Sequence, residues 1–441
     1  MIDRRMRRVL PALIGVVLLG LLFWWAMPRL VAALPGRVRH YVPQALVERV
    51  TTPLPAALPV PSGPAPAAQE LARAAAPATP TPVPSPTNEP ADDTATGAVP
   101  RPSPTPVPTS VPAPTSVPLP PYGRIDGLPI IPQKFNNCGP TNLTIVLNYY
   151  GVDVDQFDVA GVVRPNYEDR NVSPDELVQY VTEQTDLAAA AYVAGDVDIL
   201  RRLVAAGFPV IIEKGLEPDA ATGWMGHYLT VYGYDDVTSH VLVRDTFLGP
   251  WRGDGLASYR DTERYWAQFN GTFIVVYRPQ QAAALEAVLG PDYGEAATAG
   301  GRAVELARAA VARTPDDPFA WFNLGSSLTE MAGQGQAVLY EDAAAAYDQA
   351  RLLGLPARML WYQFQPYEAY LAAGRPADVL ALAEATLASQ GGRNVEETYY
   401  YQGLALAMTG DEGARAAFER AAALNPQSRV GQAARAALAG E

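Results

Sequence analysis

Cysteine is almost missing from this chain: Cys138 is the only one in 441 residues. One cysteine makes no intramolecular disulfide and, alone, no structural zinc site. Lysine is nearly absent too. Lys134 and Lys214 are the only two, and neither is followed by Ser or Thr, so there is no Walker A loop and no ATP-binding cassette. The formal charge of −13 argues against a nucleic-acid partner, whose phosphates select basic surfaces. Histidine occurs three times, and no group of residues has metal-ligand spacing, so neither metal nor cofactor is expected.

Proline, by contrast, is abundant. More than half of the 42 prolines fall in residues 43–121, as in Thr79-Pro80-Thr81-Pro82-Val83-Pro84-Ser85-Pro86. Such a stretch cannot bury a core and favours extended polyproline II. Residues 28–121 therefore read as a disordered stalk, with a brief helical turn at 69–76. At about 3.1 Å per residue the proline-rich part reaches roughly 240 Å. Ahead of it, residues 9–27 carry no charge. That run spans roughly 28 Å as a helix, close to a bilayer's hydrocarbon thickness. Trp24 and Trp25 sit where interface anchors do, and Arg4, Arg5, Arg7 and Arg8 in the basic tail 1–8 predict a cytoplasmic N-terminus. The expectation is a single-pass anchor in the cell membrane with the bulk of the chain extracytoplasmic. A cleaved signal peptide is the rival reading.

Cys138 lies in Phe135-Asn136-Asn137-Cys138-Gly139-Pro140-Thr141-Asn142-Leu143, which reads as a helix start. Leu143, Val146, Leu147 and Tyr150 make one apolar face, Pro140 lies in the first turn, and Gly151 stops the helix. A helix N-terminus favours the thiolate, so Cys138 is a candidate nucleophile. Position alone leaves a small packing cysteine equally open.

A thiol nucleophile needs a base, usually His. His40 follows the apolar segment and lies outside any globular region. His240 lies in the polar connection Asp235-Asp236-Val237-Thr238-Ser239-His240, read as a hairpin turn, with the two Asp serving turn chemistry rather than calcium. His227 opens the strand Tyr228-Leu229-Thr230-Val231-Tyr232-Gly233-Tyr234, and Val241-Leu242-Val243-Arg244-Asp245 forms the return strand. A hairpin pivoting near residue 237 brings Asp245 beside His227, where a carboxylate orients an imidazole.

Gln133, Asn137-Cys138-Gly139-Pro140, Gly226-His227-Tyr228 ahead of Gly233-Tyr234-Asp235-Asp236, and Arg244-Asp245 together resemble the C39-like peptidases. These are papain-like cysteine peptidases, best known as leader-cutting domains of bacterial bacteriocin exporters. The resemblance covers about residues 125–278 and implies an α+β papain-like domain over 122–280. It implies Cys138 as nucleophile, His227 as general base and acid, and Asp245 as the orienting residue. Gln133 would donate its amide to the oxyanion beside the Cys138 backbone N–H. Other parts of this region fit an α+β fold. Ser173-Pro174-Asp175-Glu176-Leu177 reads as a capped helix start, residues 197–206 as a helix ending at Gly207, and 209–212 and 272–277 as strands. Trp224, Trp251 and Trp266 either pack or line a substrate groove.

From about residue 296 the chain turns to Ala-rich helix. Ala320-Trp321-Phe322-Asn323-Leu324-Gly325 followed by 343–350, the pair 361–373 and 377–389, and 399–406 with Ala417-Phe418-Glu419-Arg420-Ala421 resemble tetratricopeptide repeats over 296–441. Residues 301–313 read as a leading helix and Gly333-Gln334-Gly335 as an insertion. The resemblance implies an all-α array offering a surface to a peptide or protein partner.

Two functions fit. One is a membrane-anchored extracytoplasmic cysteine peptidase acting on a peptide or protein by Cys-His-Asp acyl transfer, with transfer to an amine as a variant. The other is a catalytically inert papain-like and repeat module serving as a surface adaptor.

Overall fold

Near-continuous apolar runs along the central strands, as in Val210-Ile211-Ile212 and Phe273-Ile274-Val275-Val276, produce a sheet with two buried faces. The computed structural model describes residues 57–62, 119–218, 222–249, 255–294, 296–389 and 391–440. The expected tail 1–8, the anchor 9–27, the turn at 69–76 and Trp251 lie outside them. Among the described residues no helix is long and apolar enough to cross a membrane.

The first unit holds β1 (Tyr122–Arg124), α1 (Cys138–Tyr149), α2 (Gln156–Val163), α3 (Pro174–Gln184), β2 (Ala188–Tyr192) and α4 (Val197–Ala205). It continues through β3 (Val210–Leu216), β4 (Met225–Asp235), β5 (His240–Asp245), β6 (Leu256–Ser258), α5 (Tyr259–Trp266), β7 (Phe273–Tyr277) and α6 (Ala282–Leu289). The antiparallel sheet runs β2-β7-β3-β4-β5-β6, with β1 also pairing with β4. Ile211, Tyr228, Ile274 and Val276 face α1 and α3, meeting Leu143, Val146, Leu147 and Leu177. Val210, Ile212, Leu229, Val231 and Phe273 face Leu200, Leu203 and Leu285 of α4 and α6. This is the α+β architecture expected of a papain-like domain.

Local chemistry explains the boundaries. Gly151, at φ 90°, follows α1 in a conformation that suits glycine. In the β4–β5 turn, Asp235 Oδ1 accepts from Val237 N at 2.9 Å and Thr238 N at 3.2 Å. Ser173 N donates to Glu176 Oε2 at 2.8 Å, the expected cap of α3. β3 runs further than its apolar core, through Glu213 and Lys214, because its pairing with β4 continues to Leu216.

The second unit is helical: α7 (Ala296–Arg313), α8 (Pro318–Gly333), α9 (Leu339–Leu353), α10 (Gln365–Ala372), α11 (Pro376–Ala388), α12 (Glu396–Met408), α13 (Ala414–Leu424) and α14 (Arg429–Ala439). Each packs on the next along the chain. Within the expected stalk, residues 57–62 lie against this unit, where Leu58 is buried.

Two of the places where the units meet bear on their packing and stability. Trp224 stacks on Phe269 with centroids 5.8 Å apart, and Phe319 and Tyr362 of the helical unit each lie 5.9 Å from it. Trp224 and Trp266 are 8% and 1% exposed, so both are packing residues and neither lines a groove. At the other place four carboxyl groups gather: Asp169, Glu176, Glu396 and Glu397. Burial, then repulsion from Glu396, Glu176 and Asp169, holds the Glu397 carboxyl well above its ordinary value. The folded state therefore binds a proton that the unfolded chain has released above the ordinary Glu range. Stability falls as pH rises across that window. Glu397→Gln is expected to raise the melting temperature at pH 8 by about 2–4 °C, with a smaller gain at pH 5. An equal shift at both values, read by calorimetry, would refute the protonation argument.

Candidate active site

Cys138 is the first residue of α1, and the loop before it is held tightly. Asn136 sits at φ 56°, a left-handed conformation that Asn tolerates. Its Nδ2 donates to Asp169 O at 2.7 Å. The Asn137 amide is fully buried, donating to Gln156 Oε1 at 3.2 Å and accepting from Arg164 Nη2. Gln156 Oε1 also accepts from Lys134 N at 2.7 Å and Thr141 Oγ1 at 3.0 Å. Gly139 lets the helix approach β4: a β-carbon there would stand 3.4 Å from the Tyr228 ring.

The β4–β5 hairpin supplies the other two groups. Its register pairs Leu229 with Asp245, so His227 lies diagonally across from Asp245 on the same face. His227 Nε2 stands 3.0 Å from Asp245 Oδ1. That oxygen also accepts from Phe247 N at 2.9 Å and Leu248 N at 2.8 Å, which fixes the carboxylate. The second ring nitrogen, Nδ1, is buried without a hydrogen-bond partner among the described residues. It is the atom left for the Cys138 thiol, with which His227 interacts.

Electrostatics favour the charged pair. Burial pushes the Cys138 thiol up, but His227 and the backbone N–H groups of Tyr228 and Gly139 outweigh it, and the net shift is downward. Burial alone would lower His227, yet Asp245 and Cys138 raise it to about 9. Asp245, opposed by burial and favoured by His227 and the two backbone N–H groups, falls to about 2. Both shifts run toward a thiolate beside an imidazolium, the state suited to nucleophilic attack.

Gln133 comes to the same place by a different route. Its N donates to Thr246 O at 2.9 Å, and its Oε1 accepts from Thr246 Oγ1 at 2.8 Å. The acceptor end of the amide is thereby occupied, leaving Nε2 as donor. The structure thus brings Cys138, His227 and Asp245 together and places Gln133 beside Thr246. His240 lies elsewhere, at the far end of the hairpin.

Sequence reading missed Asn142, Thr230, Thr246, Arg164 and Glu213. Asn142, one turn after Cys138, is fully buried. Its Nδ2 donates to Cys138 O at 2.9 Å, Tyr228 O at 2.8 Å and Thr246 Oγ1 at 3.3 Å, while its Oδ1 accepts from Thr230 Oγ1 at 2.8 Å. The signal was slight: a lone amide between Thr141 and Leu143 near the helix start. Arg164 is 2% exposed and also donates to Phe135 O at 3.3 Å and Tyr167 O at 2.6 Å. Glu213 is buried on β3, and burial, then the Cys138 charge, raises its carboxyl well above the ordinary value.

The α+β fold with its antiparallel sheet fits the papain-like class. Comparison with known proteins agrees. Residues 122–274 match the model of the Peptidase C39-like family, and this segment is a C39-like peptidase domain. No curated protein matches the sequence. Among solved structures, a crystal structure from Bacillus anthracis assigned as a C39-like peptidase is 18% identical and covers 35% of this chain and 96% of its own. Its TM-score is 0.29.

Two variants probe the site. Asp245→Asn removes the charge that raises His227, so alkylation of Cys138 at pH 6 is expected to slow about tenfold or more. An unchanged rate would break the link between Asp245 and the thiol. Asn142→Ala leaves several buried groups without partners and is expected to cost about 2–4 kcal/mol in denaturant unfolding.

Proposed function

We propose that this chain is a cysteine peptidase. The observation that carries it is the 3.0 Å contact between His227 Nε2 and Asp245 Oδ1, with Nδ1 of the same ring left for Cys138. In this reading the Cys138 thiolate attacks the carbonyl carbon of a peptide bond. The Cys138 backbone N–H, at the start of α1, and Gln133 Nε2 receive the negative charge on the carbonyl oxygen. The imidazolium gives its proton to the leaving amine as the C–N bond breaks, leaving a thioester on Cys138. His227 then takes a proton from water, the hydroxyl adds to the thioester, and the acid product leaves as the thiolate re-forms. An amine in place of water would give transpeptidation by the same residues.

Two further parts of the reading rest on sequence. Residues 9–27 anchor the chain in the cell membrane, and the peptidase works on the extracytoplasmic side. The helical unit acts as a tetratricopeptide-type array. Supporting this, a β-carbon on Gly325 would stand 2.7 Å from the Tyr347 ring, and one on Gly403 would stand 2.6 Å from Phe418. Glycine lets the paired helices approach at both sites, in positions where the repeat pattern expects a small residue.

Alkylation of Cys138 against pH tests the site, and with one cysteine the signal has one source. The rate is expected to stay high well below pH 8 and to drop to ordinary thiol behaviour in His227→Ala. Peptide cleavage is expected to vanish in Cys138→Ala and His227→Ala. Full cleavage by both variants would overturn the peptidase reading. An ordinary thiol in both proteins would leave the domain as an inert binding module.

A further inference from the structure

Residues 57–62, Ala57-Leu58-Pro59-Val60-Pro61-Ser62, lie on the helical unit as an extended peptide. Leu58 N donates to Leu355 O at 2.9 Å, and Ala57 pairs with Pro356 in an antiparallel bridge. The Leu58 side chain is 5% exposed and joins the apolar core that contains Leu355, Met359 and Tyr370. Arg351, near the end of α9, grips the backbone beyond it. Its Nε donates to Pro59 O at 2.8 Å and its Nη2 to Val60 O at 3.0 Å. Its Nη1 donates to Asp378 Oδ1 at 2.9 Å, and the same oxygen accepts from Ser62 N at 3.2 Å. Arg375 braces Asp378 from the other side, with Nη2 2.7 Å from Oδ2.

We propose that the helical unit carries a binding site for extended, proline-punctuated apolar peptides of the type Leu-Pro-Val-Pro-Ser, which the chain fills with its own linker. The occupant and the groove match in chemistry. Pro59 and Pro61 bring no N–H, so their positions add no donor needing an acceptor. Their fixed φ lowers the ordering needed on docking. The carbonyls that remain meet a guanidinium whose Nε and Nη2 have just these acceptors. With the segment in place Arg351 is 2% exposed, and its third contact is the Asp378 carboxylate, so the docked carbonyls complete its hydrogen bonding.

Selectivity sits at Leu58. Val60 is 65% exposed and offers the groove only its backbone carbonyl. The linker repeats the pattern as Pro82-Val83-Pro84-Ser85 and Pro106-Val107-Pro108-Thr109, but Thr81 and Thr105 stand where Leu58 would be. The buried leucine therefore chooses which copy docks. This site uses none of Cys138, His227 and Asp245, so it stands whether or not the domain cleaves peptides.

The test is a titration of a capped, fluorescein-labelled Ala-Leu-Pro-Val-Pro-Ser peptide, followed by anisotropy, against the full chain and its Leu58→Asp variant. In the wild type the tethered segment acts at about millimolar effective concentration and excludes the labelled peptide. The variant frees the groove and is expected to bind the peptide at least about tenfold more tightly. An unlabelled peptide with threonine in the leucine position is expected to compete about tenfold less well, for lack of buried apolar surface. Should Leu58→Asp fail to fold, Ser62→Pro, which removes the N–H given to Asp378, takes its place. Equal binding to wild type and a folded variant, or competition indifferent to the leucine, would overturn the proposal.

Discussion

One buried side-chain amide ties the helix bearing Cys138 to the strands bearing His227 and Asp245. Asn142 reaches Cys138 O in its own helix, Tyr228 O on β4, and Thr246 Oγ1 just past β5, while Thr230 donates to its oxygen. Apolar contacts alone are non-directional and tolerate sliding. Directional bonds do not, because a displaced helix strands buried polar groups at about 1–3 kcal/mol each. Thr246 carries the constraint onward to Gln133 through its hydroxyl. The relative positions of thiol, imidazole and amide therefore follow from one network inside the core.

Charge balance depends on that geometry. Burial works against all three ionised groups, lifting Cys138 and Asp245 and depressing His227. At Asp245 the interaction with His227, then two backbone N–H groups that need no partner of opposite charge, offset burial. Those donors come from residues 247 and 248, in the loop after β5. The loop thus acts on the thiol through two intermediaries, the carboxylate and the ring.

The hairpin was the most legible part of the site in the sequence. Its turn chemistry at Asp235 and its alternating strands fix a pivot, and a pivot determines which residues oppose each other. The Cys138 helix was legible for a similar reason, since its apolar spacing and Gly151 mark one face and one end. Asn142 escaped because a lone amide in a helix looks like a surface residue until the sheet is in place. Arg164 and Gln156 escaped because they act on a loop distant in sequence. Trp224 shows the opposite failure: an aromatic near the site was open to a groove role, whereas its surroundings come from Phe269, Phe319 and Tyr362, all distant in sequence. Residues 57–62 carry the same composition as the rest of the proline-rich stretch. Only Leu58, with a partner groove nearly three hundred residues downstream, sets them apart.

The two units are not separable pieces joined by a tether. Trp224 and Phe269 of the peptidase domain share an apolar cluster with Trp321, Leu324 and Tyr347 of the helical unit, and Leu58 closes it. A β-carbon on Gly226 would stand 2.8 Å from Phe269 and 2.9 Å from Tyr362, so glycine beside His227 is what admits the helical unit to β4. Arg358 adds directional contacts, donating to Thr222 O at 2.7 Å and Trp224 O at 3.2 Å just before that strand. Removing the helical unit would uncover Trp224 and Phe269 and release the backbone leading into His227. A loss of activity on such truncation would therefore report a damaged peptidase as readily as a lost docking surface, and point changes in the groove at Arg351 and Asp378 separate the two where deletion does not.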